Sequence, residues 1–213
     1  MKFCVIGLGR FGYRVATTLA DNGMEVLGID SNESIVSSIR DQVTQAICLR
    51  VNDEAALRSL GVEEMDIVIV AMGENFAQSI LVTALLKKRL NIPMVITRAV
   101  SEIHKEILKL IGADQVILPE QEVGARLADS LSYPYAQLVR ITANFGIIQV
   151  QAPEKFVGKT VQSLRLFERY QVRCIGVKKS EEIITVSSDY IVNADETLVF
   201  AGSINKLMAV SKL

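Results

Sequence analysis

The chain has 213 residues, 50% of them hydrophobic and 22% charged, with a formal net charge of −1 at pH 7. That length suits one large domain, or one of about 130 to 150 residues followed by a small second one, and the near-neutral charge gives no electrostatic reason for a nucleic acid or an anionic membrane as partner. His104 is the single histidine, which excludes a metal site or acid–base pair built on several histidines and leaves little conventional hydrolytic chemistry.

The opening MKFCVIG enters a strand at once, without a signal-peptide pattern. The longest apolar run, Ile67–Met72, falls far short of the roughly 20 residues of a spanning helix, so a cytoplasmic protein is expected. Cys4, Cys48 and Cys174 lack CxxC spacing and lie in apolar runs; buried free thiols in a reducing compartment are the expectation. Apolar, β-branched runs predict strands over Phe3–Ile6, Val26–Asp30, Ala46–Leu49, Ile67–Ala71, Met94–Arg98 and Val116–Leu118. Helical patterns fill the intervals at Phe11–Asn22, Glu33–Arg40, Asp53–Leu60, Phe76–Leu90 and Glu102–Ile111. Asn22-Gly23 and Asn91 before Pro93 read as helix stops, and Ser101 as an N-cap. His104 is expected to be an ordinary, partly exposed side chain of its helix. This alternation predicts an α/β fold, a Rossmann-like doubly wound parallel sheet.

A last helix over Glu122–Leu131 precedes SYPYAQ, where Pro134 between two tyrosines breaks the rhythm. The boundary is placed there, giving domains 1–135 and 136–213. The second is a small α+β lobe of about 75 residues, small enough to need docking or pairing. Its strands are expected at Ile147–Gln151, Arg173–Lys178, Ile183–Val186 and Leu198–Ala201, with a short helix near Thr160–Phe167. Turns are expected at KKSEE (178–182) and VNADET (192–197).

The motif that carries chemistry is GLGRFG, in which Gly7, Gly9 and Gly12 spell G-x-G-x-x-G between a strand and a helix. Gly7 permits the tight turn, Gly9 admits a pyrophosphate to the backbone, and Gly12 lets helix and strand pack closely. The helix N-terminus adds unpaired N–H groups and partial positive charge. Asp30 closes the second strand about 18 positions beyond Gly12, where a carboxylate accepts hydrogen bonds from ribose hydroxyls and repels a 2′-phosphate. NAD or an adenine nucleotide is therefore favoured over NADP. Arg10 inside the loop offers planar, bidentate donors to phosphate, a contact that helps a sensor distinguish three phosphates from two and does nothing for hydride transfer.

The segments VIGLGRFG (5–12), VLGID (26–30), DIVIVAMGEN (66–75), NIPMVITRA (91–99) and LKLIGADQVILPEQEVGARLA (108–128), with FVGKTVQSL and VNADETLVFAG in the tail, resemble the RCK (regulator of potassium conductance) proteins, cytosolic regulatory subunits of Trk/Ktr-type potassium transporters. The resemblance covers nearly the whole chain. It implies a nucleotide-binding lobe for NAD(H) or ATP/ADP, homodimers assembled into a tetramer or octamer ring, and a membrane potassium-translocating subunit as partner, with the chain peripheral at the inner face of the membrane. Transferred to this chain, Gly7, Gly9, Arg10 and Gly12 hold phosphates and Asp30 and Asn32 the ribose, with Phe11 and Ser31 also among the nucleotide-binding residues. Ala71, Met72, Gly73, Asn75 and Ser79 close over the nucleotide, and Arg98 faces the phosphates. Glu120 matches an acid near the terminal phosphates that takes part in binding a divalent cation, Mg or Ca. Arg50, Val51 and Asn52 stand where relatives have a small polar run, so Arg50 either stacks on adenine or obstructs it. The tail lacks the prolines that some relatives use around a cyclic dinucleotide, and Phe167 replaces an arginine there, so a second-messenger site is unsupported.

The alternative is a small NAD-dependent oxidoreductase, which needs a general acid or base over the nicotinamide. The stretch AMGENFAQS after the fourth strand has no His, Lys, Tyr or Cys. A nucleotide sensor without catalysis is the reading the residues favour. A DNA-binding sensor of the same fold would need a basic recognition helix, and the sequence offers none.

Overall fold

A computed structural model describes residues 1–73, 75–132, 136–180 and 182–213. Residues 133–135 of the predicted break, Glu74 of the AMGEN segment and Glu181 of the KKSEE turn lie outside the described residues. The chain divides into two compact units, Met1–Glu120 and Gln121–Leu213.

In the first unit, elements alternate as the apolar runs require: β1 (Lys2–Ile6), α1 (Arg10–Asp21), β2 (Glu25–Asp30), α2 (Glu33–Ile39), β3 (Gln45–Cys48), α3 (Glu54–Ser59), β4 (Ile67–Val70), α4 (Phe76–Lys88), β5 (Met94–Arg98), α5 (Glu102–Ile111) and β6 (Gln115–Ile117). The strands pair in parallel in the order β3-β2-β1-β4-β5-β6, the doubly wound order whose crevice opens where it reverses, between β1 and β4.

Both faces of the sheet are buried because successive residues point to opposite sides. Cys4, Ile6, Leu27, Ile29, Val68 and Val70 join Leu57 of α3 and Val82 and Leu86 of α4 in one core. Phe3, Val5, Val26 and Ile69 meet Ala16 of α1 and Ile39 of α2 in the other. Helix ends follow local chemistry. Asn32, Asp53, Asn75 and Ser101 each accept a backbone N–H of the helix they precede. Gly23 and Asn91 take the left-handed conformation that ends α1 and α4.

Helix α6 (Pro119–Ser132) lies in the second unit from Gln121 on, and β7 (Ala136–Arg140), β8 (Phe145–Gln151), α7 (Leu166–Tyr170), β9 (Val172–Lys179), β10 (Glu182–Ile184), β11 (Thr197–Ser203) and α8 (Ile204–Val210) follow. Its sheet is antiparallel, in the order β10-β9-β11-β8-β7. Ile148, Val150, Val177, Leu198 and Phe200 form its core with Leu207 and Val210 of α8.

Several expectations are corrected. The short helix is not at 160–167 but at Leu166–Tyr170, because Arg165 takes a left-handed φ of 47° and Thr160 bridges Ile191. Strand β7 and helix α8 carry no expectation from the sequence. Of the thiols only Cys4 is buried; Cys174 is half-buried and Cys48 exposed, since β3 is an edge strand. His104 is fully buried, because α5 packs on α4 through that face and its ring lies 4.5 Å from Phe76.

Candidate nucleotide site

A cleft of about 780 Å³ opens at the carboxyl ends of the parallel strands, within the range of small-molecule sites. Its floor is the turn from β1 to α1. Gly7 has a φ of +93°, and a Cβ there would sit 3.0 Å from the Met72 backbone N. Gly12 serves packing instead: a Cβ would collide with the Gly7 carbonyl oxygen. Helix α1 starts at Arg10 with Gly9 as N-cap and no side chain capping its first N–H groups, which leaves those donors and the positive end of the dipole for an anion.

Asp30 closes β2 and folds onto the loop. Its Oδ2 accepts the Leu8 N–H at 2.6 Å and its Oδ1 the Asn32 N–H at 2.8 Å. Each carboxylate oxygen keeps further acceptor capacity, so Asp30 fixes the loop and still offers lone pairs to a sugar. Asn32 is committed in part, its Oδ1 capping α2 through the Ser34 N–H at 2.9 Å.

At the other end, Arg98 closes β5. Its guanidinium lies 5.8 Å from the centre of the Phe11 ring, and its Nη2 donates to Glu120. Its Nε is buried and has no hydrogen-bond partner among the described residues.

Of the residues the sequence singles out, Gly7, Gly9, Arg10, Phe11, Asp30, Ser31, Asn32, Arg50, Val51, Ala71, Met72, Gly73, Asn75, Arg98 and Glu120 line the cleft. Gly12, Asn52 and Ser79 do not: Gly12 packs under the loop, Ser79 is fully buried in α4, and Asn52 faces a smaller adjoining hollow with Arg50 and Leu81. Arg50 and Asn75 border both spaces.

Ile6, Ile29, Ile35, Leu49 and Gln78 line the cleft without having been singled out. Ile6 and Ile29 are strand ends beside the switch point, where topology alone points. Gln78 stands three residues after the cap Asn75, the spacing of a capping box. Its amide donates to the Val51 carbonyl at 2.9 Å and to Asn52 Oδ1 at 3.2 Å, stitching α4 to the loop after β3.

Comparison with known proteins places this site in context. The TrkA-N domain model matches residues 3–119 and the TrkA-C domain model residues 146–213. Ktr system potassium uptake protein A of Bacillus subtilis (strain 168) is 33% identical over 203 residues, 94% of this chain and 91% of that protein. Ktr system potassium uptake protein C of the same organism is 29% identical over 213 residues, 99% of this chain and 96% of its own length. Among solved structures, the GsuK channel matches with a TM-score of 0.68 at 18% identity, over all of this chain and 39% of that one. The GsuK channel bound to NAD gives 0.65 at 18%, again over all of this chain and 39% of that one. This chain therefore spans less than half the length of those channel chains.

Proposed function

The chain belongs to the family of TrkA-N and TrkA-C domain proteins that includes the Ktr potassium uptake proteins, and on that premise we propose that it is the nucleotide-sensing regulatory subunit of a potassium transport system. The observation that carries the nucleotide half of this reading is one cleft with an uncapped helix N-terminus on its floor, Asp30 at one end and Arg98 at the other. Adenine nucleotides are the ligand class, ATP/ADP or NAD(H), with the ribose at Asp30 and Ser31 and the phosphates at Gly7, Gly9, Arg10 and Arg98. The base lies toward Arg50 and Val51. A 2′-phosphate is disfavoured by the Asp30 carboxylate. The nucleotide-binding domain runs to about residue 135 and the lobe from 136 serves assembly.

Control without catalysis is the mode. Among the described residues the cleft lining has no His, Lys, Tyr or Cys, the groups that usually move a proton beside a nicotinamide. Ligands regulate by unequal affinity for two states of an assembly. ATP and ADP, or NADH and NAD, each favour a different arrangement of a homodimer within a tetramer or octamer ring. A membrane potassium-translocating subunit reads that arrangement, so the chain works in the cytoplasm against the membrane. No described helix is long and apolar enough to cross a membrane itself.

Among the described residues, Glu120 is the carboxylate at the Arg98 end of the cleft, and it pairs with Arg98. Among the described residues no cluster of three or more His, Cys, Asp or Glu side chains stands ready for a metal. A cation at the terminal phosphates of a bound nucleotide would take its other ligands from phosphate oxygens and water, with Glu120 as its protein carboxylate.

Calorimetric titration of the purified chain with ATP, ADP, NADH and NAD tests the reading. Saturable binding of at least one, without consumption of NADH in the presence of small carbonyl compounds, is expected. Silence toward all four would overturn it, as would turnover.

A further inference from the structure

The base end of the cleft lies beside β3, on the far side of Asp30 from the glycine loop, because the strands run β3-β2-β1. Leu49, Arg50 and Val51, which follow β3, line it together with Asn75 and Gln78 at the start of α4. The carboxamides there are committed to one another. The Val51 carbonyl can only accept, so the 2.9 Å bond it receives from Gln78 Nε2 fixes the orientation of that amide, and the second Nε2 hydrogen goes to Asn52 Oδ1 at 3.2 Å. Gln78 Oε1 accepts from Asn75 Nδ2 at 3.2 Å, and Asn75 Oδ1 caps α4 through the Gln78 N–H at 3.0 Å. Neither carboxamide that lines the cleft keeps the free donor–acceptor edge with which Asn or Gln reads adenine N6 and N7. Arg50 is different. Its side chain has no hydrogen-bond or ion-pair partner among the described residues, and it borders both the cleft and the adjoining hollow of about 330 Å³. The base end therefore presents a free guanidinium, which has donors and no acceptor.

We propose that Arg50 reads the base, and that its free donors admit 6-oxopurine nucleotides, those of guanine and hypoxanthine, as a second ligand class of the cleft beside adenine nucleotides. This role rests on the nucleotide reading of the cleft. Guanine turns two acceptors, O6 and N7, toward one edge, and a guanidinium meets both at once. Adenine carries N7 beside the N6 amino group on the same edge, so the guanidinium gains one bond there and sets donor against donor at the other position. Hypoxanthine keeps O6 and N7 and lacks only the 2-amino group, so it is read as guanine is. Arg50 is exposed, which keeps the contact at the low end of what a bidentate base contact contributes.

Calorimetric titration of the full chain with ADP, GDP, inosine diphosphate and 7-deaza-GDP, for the wild type, Arg50→Ala and Arg50→Gln, tests the role. The wild type is expected to bind GDP and inosine diphosphate at least as tightly as ADP. It should bind 7-deaza-GDP, which lacks the N7 acceptor, at least about twofold more weakly than GDP, the worth of one hydrogen bond; this comparison needs no variant. Arg50→Ala should weaken GDP and inosine diphosphate about fivefold or more and ADP less than about twofold. Arg50→Gln should turn the preference toward ADP, since a carboxamide with a free edge pairs with adenine N6 and N7. The inference is overturned if the wild type binds GDP more weakly than ADP, or if 7-deaza-GDP binds as GDP does. It is equally overturned if Arg50→Ala weakens ADP and GDP alike, which is stacking without reading, or changes neither, which places the side chain in solvent. Each of those outcomes leaves adenine-nucleotide binding intact. Silence of the wild type toward every nucleotide titrated sinks the nucleotide reading with it.

Discussion

His104 is fully buried on α5, its ring against Phe76 and its Nδ1 accepting the Val100 N–H at 3.3 Å. Its Nε2 is buried without a partner among the described residues. Burial pulls its pKa below the ordinary histidine value, since a charged ring would lose its hydration. The unfolded chain then takes up the proton first. The stability His104 confers is complete above about pH 6.5 and declines as the pH falls, by at most about 1.4 kcal/mol per pH unit. Urea denaturation of the wild type between pH 7 and 5 should show that decline above the carboxylate range, and His104→Gln should flatten it. An equal slope in both proteins would place the pH dependence elsewhere. The burial itself could not be read from the sequence: a single polar residue among the apolar positions of α5 looks the same whether its face is covered by α4 or by water. Asp30 and Gly12 were legible for the opposite reason. Their places follow from positions relative to a strand end and a turn, which a motif fixes, whereas Gln78 acts across 27 residues of chain on Val51, a contact that no local pattern encodes.

At the scale of elements, α5 was legible at both ends because each end has its own chemistry. Ser101 accepts the His104 N–H at 3.2 Å, and Gly112 takes a left-handed φ of 106° to close the helix. Ser101→Ala should therefore cost about 1 kcal/mol of stability, measured as a lowered urea midpoint at unchanged slope, and Ser101→Gly only a few tenths. An unchanged midpoint in the alanine variant would mean that solvent satisfies the amide equally well. The second unit offered fewer such marks. Helix α8 follows β11 directly, through TLVFAGSINKLMAV, and Ser203 at its N-cap position makes no capping bond. Its seven residues are too few for a 3.6-residue period to stand out from a strand run. Strand β7 (AQLVR) is shorter still, and its place depends on pairing with β8 from Ala136↔Val150 to Arg140↔Gly146. Helix α7 is displaced from its expected place by the left-handed Arg165, a conformation that arginine does not announce.

For the molecule as a whole, the near-neutral charge and the doubly wound topology followed from composition and period, and the exposed surface bears on the proposed assembly. Val123, Leu127 and Leu131 recur every four residues along α6, each more than half exposed, so they form one apolar stripe. Ile103 and Leu110, seven residues apart on α5, are 73% and 84% exposed and share a face in the same way. Side chains of this size arranged in stripes, rather than scattered singly, mark surfaces that association covers. Closed symmetric assemblies bury such faces against copies of the same chain, as the proposed dimer and ring require. Light scattering coupled to size-exclusion chromatography should give at least twice the monomer mass. Leu127→Glu with Leu131→Glu should lower that mass, as should Ile103→Glu with Leu110→Glu, because a charge buried in an apolar interface without a partner is strongly disfavoured. If one pair breaks the assembly to monomers and the other only to dimers, the first stripe forms the dimer and the second joins dimers into the ring. A monomeric wild type would remove the ring from the proposed mechanism and leave nucleotide binding without a means of reaching the membrane subunit.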